Sequence, residues 1–345
     1  MNDCTMKSRL TLIIPVYNGK TYILQTVEML EYFCASNSWL SEIIFVDDCS
    51  SDGSLNIAQK YSDRIKIHKN SSNIGQPKNT NKCVELSKGK YIVILHSDDL
   101  LLPDFAVKLV PLLEQNPNVS IAVGERMITD ETGVQREIAP FYDTNCIISG
   151  IKQAKVFMMT SFLPCQVLLR RDVFEKIGCV DERHIINLDG LLWFKCALVG
   201  DVAYIQDEVA IYRIHGEQTT AKYNRTINHM MEYYCTLKEI FRLAKNIPYL
   251  EQFFNDAEKR VGELTVRYCH DVMHDKNYDL AKRYLALATV FDSEIINNER
   301  YKIINDCLES KDVDPLEAYI KLAGRKGSQY RDFSYSPPEG SIKID

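Results

Sequence analysis

The stretch from Tyr91 to Leu102, YIVILHSDDLLL, strongly constrains the fold of this chain. Five apolar residues run directly into a polar segment that ends in two adjacent carboxylates, Asp98 and Asp99. An Ile- and Val-rich run is typical of a strand covered on both faces, because a half-exposed strand would alternate apolar and polar residues. The sequence therefore predicts a buried strand that delivers two acids to the edge of a sheet.

Acids in this position have a functional and a structural interpretation. Ligands of open α/β sheets bind in the crevice outside the carboxyl ends of the strands. Two adjacent carboxylates repel each other unless they share a positive charge, which a divalent metal ion with oxygen ligands can supply. The alternative is a Ser-Asp-Asp turn at the surface before a helix, and the pair alone leaves both interpretations open.

Length and composition exclude several classes of protein. A chain of 345 residues suits a full α/β domain plus a smaller unit. A net charge of −6 gives no whole-molecule attraction to nucleic acid. The eleven cysteines are scattered without the spacing of a zinc or redox motif, which indicates a reducing compartment. No apolar run suits a signal peptide or a membrane span, so we expect a cytoplasmic protein.

Apolar runs alternate with helical segments in the first part of the chain, and this alternation predicts a parallel, doubly wound sheet. The early strands are expected at residues 10–16, 42–48, 65–68 and 91–95. Beyond Thr220, apolar residues recur at helical spacing with few Gly or Pro. We therefore expect a sheet domain over residues 1–220, a helical region over 221–327 and a loose tail over 328–345.

Three strands end in polar residues at what should be one edge, and their motifs are IIPVYNG, VDDCSSDGS and GKYIVILHSDD, with NIGQ before the last. In order and spacing this set resembles the family 2 glycosyltransferases over roughly residues 10 to 216. The resemblance implies the GT-A fold, a mixed α/β nucleotide-diphospho-sugar transferase fold, here followed by a helical appendage. It also implies a nucleotide-sugar donor, most often a uridine diphosphate (UDP) sugar.

In similar enzymes the second acid of the VDD motif binds the nucleotide base, which implies this role for Asp48. For Asp47 a loop-capping role is the better interpretation. The first turn lies beside base and ribose in such enzymes, and it consists here of Pro15, Val16, Tyr17 and Asn18.

The resemblance also implies a divalent metal ion, Mn²⁺ or Mg²⁺, that stabilises the charge of the leaving diphosphate. Asp99 would bind this metal, and Asp98 would touch the ribose or support the metal. His96 stands where many relatives have a further acid, so the expected metal site has one carboxylate fewer than in those relatives.

Asp189 is the expected catalytic base. In related enzymes an acid shortly before a Leu-Trp pair accepts the proton of the acceptor hydroxyl, and Asp189 precedes Leu192 and Trp193. The amino end of a helix should keep this carboxylate ionised. Leu188 replaces an acid that relatives often have, and an ordinary helix cap is the alternative interpretation of Asp189.

Positive groups for the diphosphate come from two places in the chain. The sequence Tyr-Arg-Ile-His matches the closing motif of the family, so Arg213 and His215, on one face of a strand, would reach the diphosphate or the metal. The alternative for His215 is a hydrogen-bonded surface histidine. Thr80 occupies the position where many relatives carry an arginine, and Lys78 is expected to substitute as a point charge.

The predicted reaction is an inverting transfer of a hexose or N-acetylhexosamine to a hydroxyl group of a glycan or lipid-linked saccharide. A lipid-linked acceptor would bring the protein to the inner face of the membrane. The helical region would mediate homo-oligomerisation or acceptor recruitment, or simply pack within the chain. Two other classes stay open: a nucleotidyltransferase, although PVYNG lacks its Gly- and Arg-rich first loop, and a non-catalytic interaction protein.

Overall fold

The computed structural model describes residues 10–36, 38–218, 223, 226–310, 313–323 and 333–344. Contacts divide the chain into a sheet unit, Met1–Ile214 with Asp332–Asp345, and a helical unit, His215–Arg331. The division after Ile214 comes a few residues before the boundary expected at residues 220 and 221, which lies outside the described residues.

The sheet unit contains one mixed sheet, as the sequence predicts. The strands described in it are β1 (Leu10–Val16), β2 (Leu40–Asp47), β3 (Lys66–Lys69), β4 (Tyr91–Ile94), β5 (Leu100–Leu101), β6 (Val119–Asp130), β7 (Gln135–Arg136), β8 (Cys146–Ile148), β9 (Val167–Arg170), β10 (Asp201–Ile214) and β11 (Ile342–Lys343). Their order is β11-β8-β10-β6-β9-β4-β1-β2-β3, with β5 beside β10 and β7 beside β6. Strands β4, β1, β2 and β3 are parallel, so the ends of β1, β2 and β4 share one edge.

Helices flank this sheet, and α1 shows how an apolar stripe packs on it. They are α1 (Lys20–Ser36), α2 (Ser54–Gln59), α3 (Gln76–Leu86), α4 (Phe105–Gln115), α5 (Gly150–Phe157), α6 (Arg171–Lys176) and α7 (Leu188–Ala197). In α1 the residues Ile23, Val27, Leu30 and Phe33 recur at helical spacing and are buried. The ring of Phe33 lies 6.4 Å from that of Phe105, which joins α1 to α4.

The second unit is helical throughout its described residues. Its helices are α8 (Asn228–Ala244), α9 (Pro248–Glu251), α10 (Phe254–His274), α11 (Tyr278–Phe291), α12 (Glu299–Glu309) and α13 (Pro315–Ala323). The Asn277 side chain caps helix α11 by accepting a hydrogen bond from the Leu280 amide. Among the described helices, none has both the length and the apolar character that a membrane crossing requires.

The prediction of a loose tail over residues 328–345 is wrong for residues 333–344. There β11 pairs antiparallel with β8, and the Tyr335 amide donates to the Phe141 carbonyl at 2.8 Å. Backbone hydrogen bonds to an edge strand need no apolar periodicity, so the Pro- and Gly-containing sequence gave no sign of this pairing. Residues 328–332 and 345 lie outside the described part of the chain.

Candidate active site

The turn after β1 and the loop after β2 are joined by hydrogen bonds. Asn18 adopts a left-handed conformation with φ 51°, its amide donates to Ser50 Oγ at 2.9 Å, and its Oδ1 accepts from the Ser51 amide at 3.0 Å. Pro15 and Val16 are buried in β1, whereas Tyr17 is 54% exposed. Of the four residues predicted in this turn, only Tyr17 and Asn18 present side chains to solvent.

The same turn lies against the acid loop that follows β4. A Cβ atom added to Gly19 would lie 2.6 Å from Ser97 Oγ, so the close approach of the two loops requires glycine here. The Thr26 hydroxyl donates to the Ser97 carbonyl at 2.8 Å. The expectation that the ends of these strands meet at one edge is therefore met.

Asp47 and Asp48 both organise the loops around them. Asp48 is 1% exposed, and its two oxygens accept from Asn70 Nδ2, the Ile74 amide and the Gly75 amide, each at 2.9 Å. Asp47 Oδ2 accepts from the Ser50 amide at 3.1 Å, and its Oδ1 has no hydrogen-bond partner among the described residues. Asp48 thus fixes the loop before α3, and its direct contact with a nucleotide base stays a prediction.

His96, Asp98 and Asp99 form a corner in which one ligand atom from each residue lies within 4.8 Å of the others. Asp99 is 2% exposed, and burial, reinforced by the negative charge of Asp98, raises its pKa well above its usual range. The side-chain amide of Gln76 lies 3.3 Å from His96 Nε2 and restrains the ring. The corner therefore concentrates negative charge where little water can screen it.

Arg213 supports this corner from β10. Its backbone amide donates to Asp99 Oδ1 at 3.3 Å, and its Nε donates to the Asp98 carbonyl at 2.5 Å. The guanidinium lies 5.0 Å from the ring centre of Tyr22 and also contacts the Gln25 side chain. Burial lowers the pKa of Arg213, while the charges of Asp99 and Asp98 oppose that shift. These contacts place Arg213 beside the acids, where it positions their loop.

Asp189 lies in the first turn of α7, close enough to His96 for the two charges to interact. Its Oδ1 accepts from the Gly190 amide at 3.0 Å, and Ser161 lies nearby with its hydroxyl donating to the Phe162 carbonyl at 3.0 Å. Burial raises the pKa of Asp189, and the helix amino end and His96 oppose it only in part. Burial therefore outweighs the helix end in setting the direction of this shift, and the ionised state expected for Asp189 stays a prediction.

Three further residues of the predicted donor site are Lys78, Thr80 and His215. Lys78 is exposed on α3, whereas Thr80 is buried and donates its hydroxyl to the Gln76 carbonyl at 2.9 Å. His215 is the first residue of the helical unit, and its backbone amide donates to Gln218 Oε1 at 3.3 Å. The roles of Lys78 and His215 toward a donor stay predictions.

Sequence reasoning missed several residues of the site. The buried Cys165 thiol lies close enough to Asp99 for the two groups to influence each other's pKa, and Ser161 approaches Asp189. Both belong to the segment before β9, whose sequence has no regular period that would place it. The buried Glu125 accepts from the Tyr204 hydroxyl and from the Phe141 amide, each at 2.5 Å, and so holds the loop beside this segment. No sequence pattern around Glu125, which lies inside a long strand, predicts its bonds to Tyr204 and Phe141.

Comparison with known proteins agrees with this geometry. Residues 11–178 match the sequence model of glycosyl transferase family 2. An uncharacterized glycosyltransferase of Rickettsia prowazekii is 28% identical over 234 residues, which cover 65% of this chain and 68% of that protein. An uncharacterized glycosyltransferase of Haemophilus influenzae is 26% identical over 262 residues, covering 72% of this chain and 75% of its own length.

Solved structures show the same fold. TarS 1–349 of S. aureus in complex with UDP-GlcNAc has a TM-score of 0.54 at 16% identity, covering 84% of this chain and 92% of that one. The mannosyltransferase PcManGT of Pyrobaculum calidifontis, in complex with GDP-Man and Mn²⁺, has a TM-score of 0.53 at 15% identity, covering 93% and 89%. The family match favours glycosyl transfer over nucleotidyl transfer. Residues 11–178, which include the acids that end β2 and β4, belong to glycosyl transferase family 2, and the mixed sheet has the GT-A fold.

Proposed function

We propose that this glycosyltransferase is inverting and metal-assisted, and that it moves a hexose or N-acetylhexosamine from a UDP-linked donor to a hydroxyl of a glycan or lipid-linked saccharide. The observation that carries the proposal is the convergence of Asp189 with the corner of His96, Asp98 and Asp99. A base and an anion-binding metal site must lie on either side of the transferred sugar, and these residues supply both.

The acid corner fits a divalent metal ion. Two carboxylates and an imidazole within 4.8 Å offer the oxygen and nitrogen ligands that Mn²⁺ accepts. Burial and the negative charge of Asp98 raise the pKa of Asp99, and the nearby charge of Arg213 does not offset them. Asp99, with Asp98 and His96, would hold the ion, and the bound ion would neutralise the charge that develops on the leaving diphosphate. The Mn²⁺ complex of the mannosyltransferase supports this assignment.

Asp189 would act as the general base. It takes the proton of the acceptor hydroxyl while that oxygen forms a bond to the anomeric carbon, and the bond from this carbon to the diphosphate oxygen breaks. The nucleoside diphosphate leaves, the proton stays on Asp189, and the configuration at the anomeric carbon inverts. A carboxylate whose pKa is raised by burial is a stronger base than an exposed one, which suits this step.

The other predicted residues surround the donor in this proposal. Tyr17 and Asn18 line the base and ribose together with the backbone of Pro15 and Val16, and Asp48 completes that pocket. Arg213 positions the acid loop through its contacts with Asp98 and Asp99. Lys78 and His215 contribute positive charge toward the diphosphate or, for His215, a further metal ligand.

A donor panel tests the proposal. The protein is incubated with UDP-, GDP- and dTDP-linked sugars and Mn²⁺, and released nucleoside diphosphate is measured with and without a chelator. We expect release from at least one UDP-sugar and its loss on chelation. Release from GDP-sugars alone would contradict the UDP assignment, and binding of no nucleotide sugar would favour a non-catalytic interaction protein.

We further propose that the reaction takes place in the cytoplasm, at the inner face of the membrane where the acceptor is lipid-linked. The helical unit would serve as the surface for self-association or acceptor recruitment. Light scattering of the full chain and of a variant in which a flexible linker replaces residues 216–331 tests this role, because that variant keeps the β11 segment of the sheet unit. Unchanged oligomeric state, vesicle binding and activity on deletion would leave the helices only a packing role.

A further inference from the structure

We propose that Phe333 and Tyr335, on the C-terminal segment 333–344, form a subsite that stacks against a sugar unit of the acceptor saccharide. The inference rests on the proposed function, because it states where the acceptor of that reaction binds. Sugar rings present apolar C–H faces, and the electron-rich face of an aromatic ring attracts them.

Both rings are open to solvent although they are large and apolar. Phe333 is 54% exposed and Tyr335 is 47% exposed. Their ring centres lie 5.2 Å apart with the planes at 82°, so the two rings present surfaces in different directions. Exposed Ser336 and Glu339 follow them, which gives the apolar rings a polar border. A ligand with apolar faces and hydroxyl groups matches this surface better than a purely apolar partner does.

The backbone beneath the rings is held in place. The Tyr335 amide donates to the Phe141 carbonyl at 2.8 Å, and the Tyr335 carbonyl accepts from the Asp143 amide at 2.9 Å. The Ser336 hydroxyl donates to Asp143 Oδ2 at 2.9 Å. A ligand that binds here therefore loses little affinity to ordering of the chain.

A continuous set of contacts joins these rings to the proposed base. The Tyr335 ring lies 5.4 Å from that of Phe141, which lies 5.0 Å from that of Phe162. The neighbouring Ser161 lies near Asp189, and its hydroxyl donates to the Phe162 carbonyl at 3.0 Å. Two ring contacts thus separate Tyr335 from the segment beside Asp189. The proposal places one hydroxyl of a short oligosaccharide at the base and another of its sugar units on the exposed rings.

The experiment begins with the full-length protein, loaded with UDP and Mn²⁺, on an array of bacterial and synthetic oligosaccharides. The saccharide that binds best then serves as acceptor for Phe333→Ala, Tyr335→Ala and Tyr335→Phe. The control is Ile342→Ser, because Ile342 is 65% exposed on the same segment but is not aromatic. Circular dichroism confirms that each variant is folded.

We expect each alanine variant to raise the acceptor KM about 5- to 10-fold, with kcat at saturating acceptor and the UDP dissociation constant nearly unchanged. Tyr335→Phe should retain most of the affinity because it keeps the ring, and Ile342→Ser should match the wild type. An acceptor KM in the alanine variants equal to that of the control would overturn the proposal. So would a wild-type protein that binds UDP but no saccharide, or variants that change only the oligomeric state. Absence of UDP binding would instead refute the proposed function, and the acceptor subsite with it.

Discussion

Asp99→Asn should stabilise the metal-free protein and at the same time abolish its response to metal. Asp99 is 2% exposed, and its negative charge is placed beside that of Asp98. An asparagine removes this charge and keeps an oxygen that can accept from the Arg213 amide. We expect a gain of about 0.5–2 kcal/mol in the free energy of unfolding without metal, since acids at functional sites are often unfavourable for stability.

The response of the wild type to metal has a calculable size. Mn²⁺ at a hundred times its dissociation constant stabilises a folded protein by about 2.7 kcal/mol. For a unit of this size, each kcal/mol raises the melting temperature by about 2–4 °C. We therefore expect wild-type protein with UDP and saturating Mn²⁺ to melt about 5–10 °C higher than without metal.

Differential scanning fluorimetry with and without Mn²⁺ measures both effects. Asp104→Asn is the matched control, because it removes the same charge from an exposed residue paired with Lys108. That variant should keep the full metal response. Two results would refute the reasoning: a metal-free Asp99→Asn protein less stable than the wild type, or a variant that melts higher with Mn²⁺ as the wild type does.

Three further predictions concern other residues. His96→Asp should move metal binding from Mn²⁺ toward Mg²⁺, because a carboxylate replaces an imidazole; equal Mn²⁺/Mg²⁺ ratios in competition titrations of both proteins would exclude His96 as a ligand. Tyr204→Phe should cost about 2 kcal/mol in urea unfolding, because Glu125 and the Tyr142 amide lose their partner; a loss below about 0.5 kcal/mol would show that water replaces the hydroxyl. Burial lowers the pKa of His229 to about 4, below the value in the unfolded chain. The neutral, buried histidine therefore stabilises the fold above the unfolded pKa, and this stabilisation is lost as the pH falls from the unfolded pKa toward 4. Between pH 7 and pH 5 this loss is about 2 kcal/mol, and His229→Leu should remove it; an unchanged pH dependence in the variant would assign the effect to other groups.

The sequence predicted the strands that carry the site and the residues that end them. Apart from Thr11, the runs at Leu10–Val16 and Tyr91–Ile94 consist of apolar and aromatic residues, and both runs are buried, so a single short pattern was sufficient. Polar residues interrupt the middle of strand β10, so no single apolar run marks this strand in the sequence. The structure has one strand, Asp201–Ile214, with irregular pairing to β6 near Glu208.

Other parts of the site depend on contacts that no local pattern encodes. The pKa of Asp189 follows from burial by distant segments, which outweighs the helix end that the sequence does show. The thiol of Cys165 meets Asp99 only because β9 inserts antiparallel between β4 and β6. The pairing of β11 with β8 joins residues near the end of the chain to residues near its middle through backbone groups alone.

The catalytic role of Asp189 tests the central claim most directly. The measurement is kcat/KM of Asp189→Asn with the best donor and acceptor, together with its dissociation constant for UDP and Mn²⁺. If Asp189 is the general base, kcat/KM falls about 10²–10⁴-fold while UDP binding stays close to that of the wild type. Activity within a few-fold of the wild type would contradict the assignment, and loss of UDP binding would show that Asp189 shapes the donor site instead.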